Sequence, residues 1–145
     1  MGKVEKSIEI RAPPEKVWEM LALDRLPEWD ENYENVEYTP NVNTPEDKYR
    51  VGSVAHANHK QGEWNLDITE SFENKKIMYA LRGKTAMMVT SILEPVENGT
   101  KFTLVGDYLV PWGIFGKFLE NLILRRQSEK SMETALEKLK SILEK

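Results

Sequence analysis

Apolar residues recur along the chain with two different periods, and the change from one to the other separates a sheet from a helix. Val4, Ile8 and Ile10 alternate with polar or charged neighbours over Lys3–Arg11. Successive side chains of a strand point to opposite faces, so this predicts a first strand with one buried face. It stops at Ala12-Pro13-Pro14, because proline has no N–H to give a ladder. Pro14 suits the first turn of a helix, Glu15 favours its positive end, and Val17, Trp18 and Leu21 share one face, which predicts a helix over Pro14–Ala22. Asp24 as a cap, with Leu26 and Trp29 three apart, predicts a second short helix or turn over Asp24–Trp29.

Tyr33–Thr39 then alternates around Val36 and Tyr38, and Pro40–Lys48, rich in Asn and Pro, predicts a loop. Further strands are predicted over Tyr49–His59, Glu63–Phe72, Lys76–Arg82, Thr85–Leu93 and Lys101–Val110, joined by links short enough to make an antiparallel meander. Among those links Asn98-Gly99 is the strongest hairpin signal, since both residues tolerate positive φ. After Pro111-Trp112-Gly113 the period changes: Phe118, Leu122, Met132, Leu136, Leu139 and Leu143 recur as one stripe of a helix over Ile114–Glu144. At 1.5 Å per residue such a helix is about 45 Å long and must lie across the sheet. The order β-α-α-β6-α predicts one α+β domain over 1–145, a curved antiparallel sheet of about seven strands wrapped around a long C-terminal helix.

Strand parity then decides which side chains look at that helix. Phe102, Leu104, Gly106 and Tyr108 share one face of the last strand and are assigned inward, with Gly106 leaving room for a ligand. Trp64, Leu66 and Ile68 are inward by the same rule, as are Tyr79 and Leu81. On Thr85–Leu93 both parities are apolar, Ala86, Met88, Thr90 and Ile92 against Met87, Val89, Ser91 and Leu93, so its facing stays open; Met88 is carried among the lining candidates.

Composition narrows the classes. The 145 residues carry 20 Lys plus Arg against 24 Asp plus Glu, a net charge of −4 with no basic stripe in the first two-thirds, which argues against nucleic acid as a partner. Without cysteine there is no disulfide, thiolate nucleophile or thiolate metal site. Met1–Lys6 has no charged-then-apolar leader pattern, and no run approaches the roughly 18 apolar residues of a membrane span. The expectation is a soluble cytoplasmic protein, monomer or homodimer.

Chemistry-bearing residues are few. His56 and His59 are three apart, hence on opposite faces of a strand, which spoils them as joint metal ligands, and no metal is expected. His56 stands as a candidate acid or base, beside the reading that it simply faces solvent. By parity Asp67 and Asp107 face outward while Glu70 continues the inward set, making it the candidate buried carboxylate, with Arg125 or Arg126 as its partner. Tyr79 and Tyr108 offer phenols to a ligand oxygen, although aromatic side chains are also ordinary core material. Pro111–Gly116 reads as a gate over a cavity mouth or as a packed hinge. Lys117, Arg125, Arg126 and Lys130 could touch an anionic membrane transiently, or form a solvated helix face. There is no Gly-rich phosphate loop and no Gly-x-Ser-x-Gly elbow, and no cofactor is expected.

The run Ile8-Glu9-Ile10-Arg11-Ala12-Pro13-Pro14-Glu15-Lys16-Val17-Trp18, followed by Leu26-Pro27-Glu28-Trp29, resembles the opening of the polyketide cyclase/dehydrase-like branch of the START/Bet v 1 (SRPBCC) superfamily. Val51-Gly52-Ser53, Asn98-Gly99-Thr100-Lys101 and the terminal-helix segments Leu122–Arg126 and Leu136–Leu139 extend the resemblance over nearly the whole chain. It implies the helix-grip fold and a small hydrophobic ligand, a lipid, polyketide, isoprenoid or quinone-like molecule, between sheet and helix. Trp64, Leu66, Ile68, Tyr79, Leu81, Met88, Phe102, Leu104, Gly106, Tyr108, Phe115, Phe118 and Leu122 are the lining candidates. A fold of this kind hosts several functions. The alternatives are a cofactor-free cyclase or dehydratase, with Glu70, Tyr79, Tyr108 or His56 as acid and base, and a chaperone-activator-like interaction module.

Overall fold

The computed structural model describes residues 2–60, 62–83, 86–108 and 114–145, with their side chains except at positions 2, 108, 114–125 and 128. Its strands are β1 (Gly2–Ile10), β2 (Tyr33–Tyr38), β3 (Val54–His59), β4 (Gly62–Phe72), β5 (Lys76–Arg82), β6 (Ala86–Val96) and β7 (Gly99–Tyr108). They form one antiparallel seven-stranded sheet in the order β1-β7-β6-β5-β4-β3-β2. β2 to β7 are a meander, and β1 returns to pair with β7 from Gly2↔Tyr108 to Ile10↔Thr100. Helix α1 (Pro14–Met20), a 3₁₀ turn (Leu23–Arg25) and α2 (Leu26–Trp29) fill the step from β1 to β2, and α3 (Ile114–Leu143) follows β7. This is the predicted α+β helix-grip architecture.

The register resolves the facing left open on β6. Val4, Gly106, Val89, Tyr79 and Ile68 form one continuous cross-strand row, and Ile8, Phe102 and Leu93 form another. Met87, Val89, Ser91 and Leu93 therefore share the concave face with Phe102 and Leu104. Onto that face α3 lays Met132, Ala135, Leu136 and Leu139, all buried and spaced three or four apart. Burying one such leucine is worth about 1.5–3 kcal/mol. The polar ties along the same helix are weaker. Glu133 meets Lys6 of β1 at 3.0 Å, the Lys140 Nζ donates to the Glu9 carbonyl at 2.9 Å, and a Glu144 carboxylate oxygen accepts the Arg11 N–H at 2.9 Å. At surface exposure each contributes of order 0–1 kcal/mol, so they set the helix's orientation more than its attachment.

Several local features differ from the expectation. Tyr49–Ser53 is not strand: a second 3₁₀ turn (Glu46–Tyr49) runs into Gly52 at φ 94°, whose N–H donates to the Ile68 carbonyl at 2.8 Å. Asp24 does not cap α2; its carboxylate holds the Lys48 ammonium at 2.8 Å. Asn98 does not take positive φ, which among the described non-glycine residues belongs to Asn74 at φ 63°, in the β4–β5 turn. Gly99 is needed there for closeness instead, since a Cβ on it would run into the Ile10 carbonyl and come within 2.9 Å of the Arg11 Cα.

Candidate functional site

The concave face carries a patch of aromatic rings at its β2–β5 end. β3 contributes Ala55 and Ala57 there ahead of His59, both alanines fully buried, and their small side chains leave space over the strand for neighbouring rings. Tyr33 meets the His59 imidazole edge-on at 5.0 Å, and His59 lies against Trp64 at 5.3 Å. Trp64 can sit flat on the sheet because Gly83 is opposite: a Cβ at Gly83 would stand 2.7 Å from the indole. Trp64 is 4% exposed, and its Nε1–H is buried without a hydrogen-bond partner. Leaving such a donor unpaired costs roughly 1–3 kcal/mol. Trp29, by contrast, gives its indole N–H to the Met20 carbonyl at 2.9 Å.

Burial dominates the electrostatics of this patch. Desolvation pushes the Tyr33 and Tyr79 phenols well above their ordinary range, and the nearby Tyr79 adds to the rise at Tyr33. Both therefore remain neutral donors at any physiological pH. Burial also raises the Asp30 carboxyl, against the opposing pull of the Asn32 N–H that its Oδ1 accepts at 3.0 Å. Burial and the neighbouring Lys60 lower His59, which favours neutral imidazole.

Of the residues singled out in the sequence, Trp64, Leu66, Ile68, Tyr79, Leu81, Phe102 and Leu104 are buried members of the concave core. Gly106 lies on that face as expected, but the room above it is filled: a Cβ there would meet the Met87 Cε at 2.7 Å and the Met132 Cε at 3.0 Å. Glu70 does not face inward. A bulge at Thr69 puts one extra residue between the pairs Ile68↔Tyr79 and Glu70↔Met78, which reverses the parity of the rest of β4. Glu70 consequently meets Lys76 on the convex side at 3.5 Å, not a helix arginine, and Phe72 is left 54% exposed. Met88 is also on the convex side, paired between Ala80 and Asp107, because its neighbours Met87 and Val89 take the concave one.

His56 and His59 fall on opposite faces as predicted, but it is His56 that points outward, toward Asn65 at 3.1 Å and Glu63 at 3.9 Å. Asp67 is outward, 3.8 Å from Arg82. Tyr108, Phe115, Phe118, Leu122 and Arg125 have side chains outside the described residues, as does the expected gate at 111–113. Asp30, Tyr33 and His59 were not singled out as site residues. His59 carried a signal, its parity with Ala55 and Ala57; Asp30 and Tyr33 carried none, because their burial comes from contacts remote in sequence.

Away from the ring patch, a depression of about 230 Å³ lies at the β5–β6 end, lined mostly by residues of convex parity, Ala80, Arg82, Ala86, Met88 and Asp107, with Leu81 and Met87 between them. Among the described residues no cluster of three or more His, Asp or Glu is arranged to hold a metal, and no helix is long and apolar enough to cross a membrane.

Residues 1–144 match the family model of polyketide cyclase/dehydrase and lipid transport proteins, and the chain belongs to that family. A search of curated proteins finds no match. Solved structures share the fold at low identity. A protein of Mesorhizobium loti is 19% identical with a TM-score of 0.74, over 97% of this chain and 96% of its own. The Aha1 dimer from Colwellia psychrerythraea is 21% identical with a TM-score of 0.70, over 99% and 97%. DynU16, described as a protein in the dynemicin biosynthetic locus, shares the fold over 99% of this chain and 48% of its own, at 13% identity and a TM-score of 0.71.

Proposed function

We propose that the chain binds a small hydrophobic molecule, a lipid, polyketide, isoprenoid or quinone-like compound, between the concave face of the sheet and α3. The observation that carries this reading is the pair of methionine ends, Met87 from β6 and Met132 from α3, that fill the space over Gly106 between sheet and helix. Unbranched thioether side chains can swing aside for a ligand at small cost, which a packed wall of leucine or phenylalanine cannot do. Membership of a family described by cyclisation, dehydration and lipid transport supports the same ligand chemistry.

A cofactor-free cyclase or dehydratase is the second reading, favoured by the grouping of Asp30, Tyr33, His59 and Tyr79 on one stretch of the concave face. Two carboxyl or imidazole groups with shifted proton affinities next to protonated phenols are what acid–base work on a bound ketone would use. Relation to the Aha1 dimer is one of fold, so a homodimer and a monomer both stand as assembly states.

The test is native mass spectrometry of protein purified from a lipid-rich host, followed by denaturation and identification of whatever is released. A stoichiometric apolar molecule is the expected result, and the intact mass gives the assembly state directly. An empty protein that also fails to enhance the fluorescence of N-phenyl-1-naphthylamine overturns the reading.

A further inference from the structure

Trp64 is the least explained side chain of the fold. Its indole is held in place from two sides, by the absent side chain of Gly83 and by the His59 ring, so it cannot turn its N–H to solvent without breaking that packing. The N–H is nevertheless buried and bonded to nothing, whereas the buried Trp29 indole has its carbonyl partner. Buried donors are paired in the great majority of native structures, and an exception points to a partner that arrives from outside. Two buried phenols lie in the same patch, Tyr33, whose ring meets the His59 ring that packs on Trp64, and Tyr79, which is coupled to Tyr33.

A patch of donors fits an acceptor. It does not fit an anion, because Asp30 beside Tyr33 is itself acidic and burial holds the His59 imidazole against Trp64 toward its neutral form, so a carboxylate ligand brought there would be desolvated without a cation at the indole. What remains is a neutral acceptor oxygen on an otherwise apolar molecule.

Resting on the ligand-binding reading above, we propose that the Trp64 indole N–H is the specificity-determining donor of the cavity, selecting hydrophobic ligands that present a neutral ketone or quinone carbonyl to the ring patch. Hydrocarbons of the same shape fill the same space but leave the N–H unpaired. A site built to hydrogen-bond a ligand discriminates against an analogue that cannot, because the unpaired donor stays buried in that complex.

The experiment compares 1-tetralone with tetralin, two bicyclic molecules of nearly equal size that differ by one carbonyl oxygen, on the full chain. Their affinities are read by displacement of N-phenyl-1-naphthylamine, and the Trp64 indole resonance is followed by ¹H–¹⁵N NMR after assignment with Trp64→Phe. The expected result is about tenfold tighter binding of the ketone, the size of one net hydrogen bond to a buried donor. A downfield move of the Trp64 indole proton with the ketone alone, and a ketone-to-hydrocarbon ratio near one in Trp64→Phe, complete the expectation. Equal affinities with a stationary indole resonance overturn the proposal while leaving the cavity in place. Binding of neither molecule, with no response from the fluorophore, overturns both readings together. If Trp64→Phe does not fold, assignment by elimination over the other three Trp→Phe variants keeps the wild-type indole shift decisive.

Discussion

Two glycines of β7 would both collide with a neighbour on gaining a methyl group, yet the structure predicts opposite outcomes for Gly106→Ala and Gly99→Ala. At Gly106 the new Cβ meets the Met87 Cε at 2.7 Å and the Met132 Cε at 3.0 Å, the free ends of two flexible side chains. Turning each aside costs about 0.5–1.5 kcal/mol, and removing a glycine from a strand returns about 0.5–1 kcal/mol of chain entropy. The net change is a loss centred near about 1 kcal/mol, within a range of about 0–2.5 kcal/mol. At Gly99 the obstacle is backbone, the Ile10 carbonyl and the Arg11 Cα, which nothing short of moving the end of β1 relieves. That movement strains the Ile10↔Thr100 pair and the buried bond from the Thr100 hydroxyl to the Ala12 carbonyl at 2.8 Å, a loss of about 3 kcal/mol or more. For a chain of this length 1 kcal/mol corresponds to about 3–4 °C in Tm, so Gly99→Ala should melt about 10 °C below wild type and Gly106→Ala about 3–4 °C below it, by calorimetry or circular dichroism. Equal shifts, or a larger one for Gly106→Ala, would refute the distinction between yielding and unyielding neighbours. The same Gly106→Ala protein should bind N-phenyl-1-naphthylamine more weakly, because the methyl group holds both thioethers in the cavity.

Tyr38 accepts the Leu23 N–H at 2.7 Å and donates to the Lys48 carbonyl at 3.0 Å, so Tyr38→Phe should cost about 1–3 kcal/mol in urea denaturation; a loss below 0.5 kcal/mol, roughly, would mean water replaces the hydroxyl. Burial raises the Asp30 carboxyl, so the folded chain holds this proton more tightly than the unfolded one. Its contribution to stability is complete below the ordinary value of 3.8 and falls as pH rises through the folded value. Asp30→Asn should therefore be more stable than wild type at pH 7 and lose that advantage in acid, and urea midpoints that differ equally at both pH values would contradict the shift. Glu70→Gln removes only the half-exposed pair with Lys76, for an expected change below about 0.5 kcal/mol and no effect on probe binding; a marked loss of binding would return Glu70 to the concave side.

The two hydrophobic periods made the element order legible from the sequence, since alternation and the 3.6-residue stripe each need only local information. Facing was legible where one parity of a strand is apolar, as with Trp64, Leu66 and Ile68, and not where both are. β6 is apolar on both parities, and its side is settled by pairing with β5 and β7. Glu70 failed for a different reason. The parity rule holds only while the ladder is unbroken, and the extra residue at Thr69 has no local signature, because a threonine suits a regular strand equally well. Asp30 and Tyr33 were invisible as site residues because what buries them, the packing of Tyr33 against His59 and its approach to Tyr79, joins strands far apart in sequence.

The closure of the sheet by its first strand also has a consequence for how the chain comes into being. β1 leaves the ribosome ahead of the other six strands, but its hydrogen-bonding partner β7 is roughly a hundred residues further on. At about 5–20 residues per second, Val4, Ile8 and Ile10 wait on the order of 5–20 s for a cognate strand, with one edge of their backbone unsatisfied and their apolar face uncovered. The charged residues that alternate with them, Lys3, Glu5 and Glu9, are suited to that interval: they keep an unpaired strand from adding to another chain until the last hairpin arrives to claim it.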